Sequence, residues 1–251
     1  MKLYGLIGFP LTHSFSKKFF TEKFEKEGTS DQFKYELFEM ENPKNFPDLF
    51  EKNPDLKGIN ITIPHKQNVF DYLDGLDQSA KLVGAVNVVK RLENDKLIGF
   101  NSDFYGFQRS LKESMGLEKI KDLKALVLGG KGGAAKAIVA ALEDLGVSVQ
   151  LVSRKAQDGL IDYAESRNLL PTHHLIVNCT PLGTYPKTEA CPDIDYTLLT
   201  PNHFLFDLVY NPAETLFMKK GLEKGAQVKN GYDMLVYQAE KSWEIWQNET
   251  I

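Results

Sequence analysis

Cysteine is scarce in this sequence, with Cys179 and Cys191 its only two. They are too few and too far apart for a CxxC redox motif or a cysteine-rich metal site, and both read as small buried thiols kept reduced by their compartment. Histidine is also sparse, five in all. The adjacent His173 and His174 would project to opposite faces of an extended segment, which does not suit chelation of one ion, so no metal is expected. Positive charge is not in excess: 30 Lys plus Arg stand against 34 Asp plus Glu, a net charge of -4. That removes the basic footprint of a nucleic-acid partner. Nowhere is there a run of about 18 apolar residues that could span a bilayer. Residues 1–10 hold a short apolar stretch with one Lys and run straight into patterned sequence, unlike a secretory signal. The expectation is a cytoplasmic protein that takes neither nucleic acid nor membrane as partner.

What is present is a chain of 251 residues, 42% hydrophobic, long enough for two modest domains or one large one around a well-buried core. Strand patterns fall at 3–8, 33–38, 58–63, 85–90 and 96–101. A helix is predicted over 14–27, with Phe15, Phe19, Phe20 and Phe24 near one face, serines available as N-caps and Gly28 just past its end. From Lys124 onward, strands at 125–128, 147–152 and 175–179 alternate with helices at 133–145 and 160–168. That alternation is the grammar of a parallel sheet built from βαβ units. A further strand at 204–208 precedes helices at 213–224 and 232–247, and no internal repeat or low-complexity tract interrupts the chain.

The strongest local signal is Ala125-Leu-Val-Leu-Gly-Gly-Lys-Gly-Gly-Ala-Ala135, an apolar strand emptying into a glycine-rich turn and a helix start. Gly130, Gly132 and Ala135 fit the G-x-G-x-x-A dinucleotide fingerprint: one glycine for the tight turn, one for close approach to a pyrophosphate, and a small residue for helix-on-strand packing. Gly133 and Ala134 then supply backbone N–H groups at the helix start, where the partial positive charge suits phosphate. At the end of the next strand an NAD enzyme usually carries an acid for the ribose hydroxyls, but here the chain reads Ser153-Arg-Lys155. A serine beside two cations favours the 2′-phosphate of NADP, although a solvated basic turn reads the same way. Lys131 either reaches a phosphate or projects into solvent.

Outside that unit, Ile59, Ile61 and Ile63 are predicted to face one side of a strand and Asn60 and Thr62 the other. Pro64 ends the strand and sets Lys66 just beyond its tip. Asp103 follows another strand and opens a helix, where an acid also serves simply as a helix-starting charge. Ser14 and Ser16 read equally as helix caps. Gln238 shares a helix face with Leu235 and Ala239, so its amide should be buried and need a partner. Tyr210, ahead of Asn211-Pro212, also reads as a turn aromatic.

Taken in order, these segments resemble the shikimate dehydrogenase family. The resemblance rests on Thr12-His-Ser-Phe-Ser16, Asn60-Ile-Thr-Ile-Pro-His-Lys66, Gly84-Ala-Val-Asn87, Asn101-Ser-Asp103 and Gly130-Lys-Gly-Gly-Ala-Ala135. It continues through Asn178-Cys-Thr-Pro-Leu-Gly183, Asp207-Leu-Val-Tyr-Asn-Pro212 and Gly231-Tyr-Asp-Met-Leu-Val-Tyr-Gln238, so it covers almost the whole chain. It implies an α/β protein of two domains. Residues 1–103 with 231–251 would form a substrate domain with a mostly parallel sheet, and 104–230 an inserted Rossmann-type NADP(H) domain. It also implies reversible NADPH-dependent reduction of 3-dehydroshikimate to shikimate, in chorismate biosynthesis, by a monomer or homodimer.

By the same resemblance Ser14, Ser16, Thr62, Asn87 and Gln238 hold the hydroxyls and carboxylate of shikimate, with Tyr210 nearby. Thr180, Leu182, Gly231 and Met234 line the nicotinamide half of the cofactor, and Lys66 and Asp103 are the chemical pair, expected to meet across a cleft on the reacting oxygen. Four positions depart from the family's usual pattern: Lys17 replaces a common Pro, Phe20-Thr21 a His-Asn-like pair, and Ser102 a more frequent Thr. A quinate or dual quinate/shikimate dehydrogenase using NAD is the competing enzyme reading, against which Ser14, Ser16 and Arg154 lean. A non-catalytic NADP(H)-binding sensor is the competing non-enzyme reading, and it would have no use for both Lys66 and Asp103.

Overall fold

Twelve strands in two six-stranded sheets organise the described residues of a computed structural model, which are 1–11, 14–130, 133–157 and 159–248. The chain divides into two compact units, Met1–Ser102 with Gln238–Ile251, and Asp103–Tyr237. Both junctions fall inside helices, Ser102–Met115 and Tyr232–Gln247. The two-domain α/β architecture expected from the sequence is the one observed.

The first unit holds β1 (Lys2–Gly8), β2 (Phe33–Glu39), β3 (Leu56–Ile61), β4 (Gly75–Leu76), β5 (Val88–Arg91) and β6 (Leu97–Phe100), in the order β2-β1-β3-β5-β6-β4. Strand β1 is parallel to β2 and β3, whereas β5 is antiparallel to β3 and β6. Both faces of the sheet are covered, which is why β1 is apolar along its whole inner length rather than alternating. Tyr4 and Leu6 join Phe20, Phe24 and Trp246 in one core, while Ile7, Ile59 and Ile61 join Phe46, Leu49 and Phe50 in the other. The helix Phe15–Glu27 starts at Ser14, whose Oγ accepts from Lys17 N at 3.1 Å, and stops where Gly28 takes the left-handed φ of 66°. Phe20 stacks on Tyr35 with ring centroids 4.6 Å apart, and Lys17 pairs with Glu36 at 2.7 Å, so two of the family departures fix this helix to β2.

The last helix, Tyr232–Gln247, covers the same sheet face. Trp246 stacks on Tyr4 at 4.8 Å and donates its indole N–H to the Val89 carbonyl at 3.1 Å. Gly58 makes this approach possible: a Cβ there would lie 2.2 Å from the Trp246 indole nitrogen.

In the second unit β7 (Lys124–Leu128), β8 (Ser148–Ser153), β9 (Leu160–Asp162), β10 (Leu175–Asn178), β11 (Phe204–Asp207) and β12 (Gln227–Asn230) are all parallel, in the order β12-β11-β10-β7-β8-β9. The order reverses between β7 and β10, the switch point of a doubly wound nucleotide-binding sheet.

Several local expectations need correction. Strand β3 ends at Ile61, because Thr62 turns away with its carbonyl accepting from His65 N at 2.9 Å, and Ile63 is therefore 72% exposed rather than in register with Ile59 and Ile61. The helix predicted over 160–168 opens as strand β9, since Leu160 and Ile161 pair with Leu151 and Val152, and only then does an Asp162–Glu165 capping box start the short helix Tyr163–Ser166. The helix predicted from 213 begins at Leu216, where the Thr215 hydroxyl accepts from Met218 N at 3.3 Å. Cys179 and Cys191 are partly exposed rather than buried. No described helix is long and apolar enough to cross a membrane.

Gly58→Ala should force the Trp246 indole off β3 and cost about 1–3 kcal/mol of stability. Urea unfolding followed by tryptophan fluorescence measures it; an unchanged midpoint would show that the helix contact tolerates the methyl group.

Candidate active site

The carboxyl ends of β1 and β3 bring the first group of expected residues together. Thr62 N donates to the Ile7 carbonyl at 2.9 Å, so the chain leaves the sheet beside the end of β1. A Cβ on Gly8 would lie 2.4 Å from Thr62 Cγ2, so glycine is what lets Thr62 sit there. Lys66 follows one turn later. Its carbonyl accepts from Val86 N at 2.8 Å, and the preceding His65 is fully buried with Nε2 2.5 Å from the Met40 carbonyl. The backbone carrying the Lys66 ammonium is thus pinned on both sides. Ser14, spent as a cap acceptor, keeps its hydroxyl proton for another partner.

Asn87 lies just ahead of β5, where its N–H donates to Phe100 O at 3.0 Å and its carbonyl accepts from Ile61 N at 2.9 Å. Its side chain holds Ser102, accepting from Ser102 N at 2.6 Å and donating from Nδ2 to Ser102 Oγ at 3.1 Å. The Ser102 hydroxyl also reaches Gln238 Oε1 at 3.4 Å and Ser242 Oγ at 3.2 Å. Ser242 accepts from Asn60 Nδ2 at 3.0 Å, and Asn60 Oδ1 accepts from the Tyr35 hydroxyl at 2.8 Å. Tyr35 hydrogen-bonds Ser16 as well. Burial pushes the Tyr35 phenol far above its usual value, an effect only partly opposed by Ser16, so Tyr35 remains a donor. Asn60, Asn87, Ser102, Gln238 and Ser242 are all buried, so each depends on these partners rather than on water. Four expected substrate residues (Ser14, Ser16, Thr62, Asn87) and Lys66 therefore share one edge of the first unit, with Gln238 joined to it through Ser102. Asp103 is the next residue along the chain, partly exposed in the first turn of its helix.

The carboxyl edge of the second sheet gathers the other group. Gly129, at φ 86°, makes the turn after β7, and both Gly129 N and Gly130 N donate to the Val152 carbonyl, at 2.9 and 3.2 Å. A Cβ at Gly129 would lie 2.7 Å from Thr180 Cγ2, and one at Gly130 would lie 2.9 Å from Leu151 Cβ. The positive-φ turn thus falls on Gly129, one residue before the fingerprint glycine to which it was assigned. Gly133 and Ala134 are exposed at the start of the helix Gly133–Asp144, with open space where a Gly133 side chain would be. These glycines and exposed N–H groups fit a dinucleotide pyrophosphate. Lys131 and Gly132 lie outside the described residues, as do Thr12 and His13.

Arg154 and Lys155 are exposed at the end of β8, while Ser153 is buried, its hydroxyl donating to the Lys155 carbonyl at 2.5 Å. Thr180 is partly buried, Leu182 and Tyr210 are exposed, and Met234 is buried. Gly231 presses on the chain after β11: a Cβ there would lie 2.2 Å from the Leu208 carbonyl oxygen.

Sequence reading gave no role to the group that shapes these loops. Asp207 ends β11 fully buried, accepting from Asn178 Nδ2 at 2.9 Å, Val209 N at 3.0 Å and the Thr215 hydroxyl at 2.6 Å. Asn178 Oδ1 in turn accepts from Thr180 N at 3.0 Å and Thr180 Oγ1 at 2.6 Å. Burial raises the Asp207 pKa, and those three donors oppose the shift. The available signal was an acid closing an otherwise apolar strand.

Residues 6–89 match the family described as the shikimate dehydrogenase substrate binding domain. A shikimate dehydrogenase (NADP(+)) of Clostridium beijerinckii is 41% identical over 261 residues, covering 98% of this chain and 92% of that one. The chain belongs to the shikimate dehydrogenase family. Among solved shikimate dehydrogenases, that of Thermus thermophilus, in complex with NADP(H) and shikimate, aligns with a TM-score of 0.83 at 29% identity, covering 98% of this chain and 94% of that one. The Listeria monocytogenes shikimate 5-dehydrogenase, in complex with shikimate and NAD, aligns with a TM-score of 0.86 at 29% identity, covering 98% and 91%.

Asp207→Ala strands three donors inside the second unit. It should lower unfolding free energy by about 2–4 kcal/mol and weaken dinucleotide binding, with Asp207→Asn milder because one carbonyl acceptor remains. Denaturant unfolding and fluorescence titration measure both; an Ala variant as stable as the parent would remove Asp207 from its positioning role.

Proposed function

We propose that this protein is an NADP-dependent shikimate dehydrogenase, catalysing the reversible reduction of 3-dehydroshikimate to shikimate in chorismate biosynthesis, as a cytoplasmic monomer or homodimer. The observation that carries this reading is the gathering of Ser14, Ser16, Thr62, Lys66 and Asn87 at one sheet edge, in a chain alike over almost its full length to NADP-type relatives.

Oxidising a secondary alcohol requires a base within hydrogen-bond reach of its hydroxyl. Lys66 is that base, and Asp103 is its hydrogen-bonding partner on the reacting oxygen. Ser14, Ser16, Thr62, Asn87 and Gln238 hold the ring hydroxyls and carboxylate, with Tyr210 beside them. A bound nicotinamide supplies the hydride acceptor. In the reverse direction the Lys66 ammonium returns its proton to the ketone oxygen. Substrate residues fixed by buried hydrogen bonds lose little freedom on binding, which favours a defined approach of the alcohol carbon.

Gly130, Gly132, Gly133 and Ala134 take the pyrophosphate, and Ser153, Arg154 and Lys155 take the adenosine end. Two exposed cations with no acid at the end of β8 suit a 2′-phosphate and offer nothing to accept the ribose hydroxyls of NAD. Thr180, Leu182, Gly231 and Met234 line the nicotinamide half.

The test is NADPH formation from shikimate and NADP+, with quinate and NAD+ as comparison arms. Shikimate with NADP+ should give the highest kcat/KM, and Lys66→Ala should lower kcat by about 10²–10⁴-fold with NADP+ affinity unchanged. NADPH binding without turnover would point instead to a sensor, a preference for quinate with NAD+ would overturn the specificity, and near-normal turnover of Lys66→Ala would remove the assigned base.

A further inference from the structure

His65 is fully buried, directly precedes Lys66 in the chain, and has no part in the proposed reaction. Its Nε2 faces the Met40 carbonyl, an atom that can only accept, so Nε2 carries the ring proton and Nδ1 is a bare acceptor. Nδ1 has no partner among the described residues. A ring sealed from water with one nitrogen unsatisfied is unfavourable on that side, and the bond from the other nitrogen is what fixes its place. The His65 N–H donates to the Thr62 carbonyl and the His65 carbonyl accepts from Asn68 N, both at 2.9 Å, so two successive turns meet at this residue and its ring pegs them to the end of β2.

The same end of β2 holds the segment that leads to the serines. Met40 N donates to the Gly8 carbonyl at 3.0 Å, and Glu39 Oε1 accepts from Leu11 N at 3.1 Å. Ser14, three residues on from Leu11, caps a helix whose Lys17 ammonium pairs with Glu36 at 2.7 Å and donates to the Tyr35 carbonyl. Ser14 and Ser16 therefore lie between two ties to β2, one at Leu11 and one at Lys17.

We infer that the end of β2 is the brace that sets the base and the substrate serines relative to each other, with His65 the positioning residue for Lys66 and Glu39 the positioning residue for Ser14 and Ser16. The inference rests on the proposed reading of Lys66 as base and of the serines as substrate ligands. Its two arms separate in kinetics. A base displaced by about 1 Å slows the chemical step by up to about 10²-fold, whereas displaced binding groups weaken substrate and transition state alike and appear in KM.

Steady-state kinetics of the full-length protein with shikimate and NADP+ tests this. His65→Ala should lower kcat by about 10–10²-fold, and His65→Gln, which keeps an N–H donor at the reach of Nε2, should restore most of it. In a Lys66→Ala background His65→Ala should have no further effect. Glu39→Ala should raise the shikimate KM about three- to tenfold with kcat near that of the parent, and Glu39→Gln, which keeps the acceptor, should reverse the change. Both tryptophans, Trp243 and Trp246, pack in the first unit, so unchanged emission shows that a variant is folded. If His65→Ala loses that emission, His65→Asn, whose shorter amide falls short of the Met40 carbonyl, takes its place. A parent that does not turn over shikimate, or near-normal turnover by Lys66→Ala, would overturn the proposed function and this inference with it. Where the parent is active and Lys66→Ala is not, the inference alone is overturned by an unchanged kcat in the folded His65 variant, by no recovery in His65→Gln, by an effect that persists without Lys66, or by an unchanged shikimate KM in Glu39→Ala.

Discussion

A buried chain of hydrogen bonds from Tyr35 through Asn60, Ser242 and Ser102 to Gln238 fastens the last helix to the first sheet. Each link is a polar group removed from water, so breaking one leaves its neighbours unsatisfied at a cost of about 1–3 kcal/mol. The helix Tyr232–Gln247 therefore has a specific seat, and Trp246 over Gly58 fills the remainder of it. Because that seat lies on strands formed by the first hundred residues, everything between Asp103 and Tyr237 is an insertion in the chain. The same chain of bonds sets Gln238, Asn87 and Ser16 in fixed places, so the residues assigned to substrate are parts of a supporting network rather than isolated surface groups.

The second unit repeats the strategy with one carboxylate. Asp207 ties the loop after β11 to Asn178 at the end of β10, and Asn178 ties Thr180. A parallel sheet leaves its loops at the carboxyl edge, and ligands of such folds settle there. Gly129, Gly130 and Gly231 leave out side chains where backbone must pass close to backbone or to a neighbouring side chain, and Gly133 leaves one out at the exposed helix start.

Much of this was legible in the sequence, for physical reasons that can be named. The Rossmann-type unit announced itself because buried parallel strands are short apolar runs, and the helix Phe15–Glu27 because a serine cap, an aromatic face and a terminal glycine agree. What escaped was short or polar. Strand β4 has two residues, the helices Phe46–Lys52 and Gln78–Val83 have seven and six, and β12 is Gln227–Asn230, a polar edge strand with no alternation to detect. Strand β9 was read as part of a helix, and only three residues of strand precede the Asp162–Glu165 capping box that starts the real one. At the site, Lys66, Asn87 and Gln238 came from the family pattern. Tyr35 and Ser242 had no such signal, and Asp207, though it opens one of the family segments, was given no role, since the importance of all three lies in partners distant along the chain.

The most direct measurement is a double-mutant cycle on unfolding free energy with Asn60→Ala and Ser242→Ala. If the two side chains form one linked seat for the final helix, the cycle should return a coupling of about 1 kcal/mol or more. Effects that add to within about 0.3–0.5 kcal/mol would contradict it, because Asn60 and Ser242 would then act independently rather than as one linked seat.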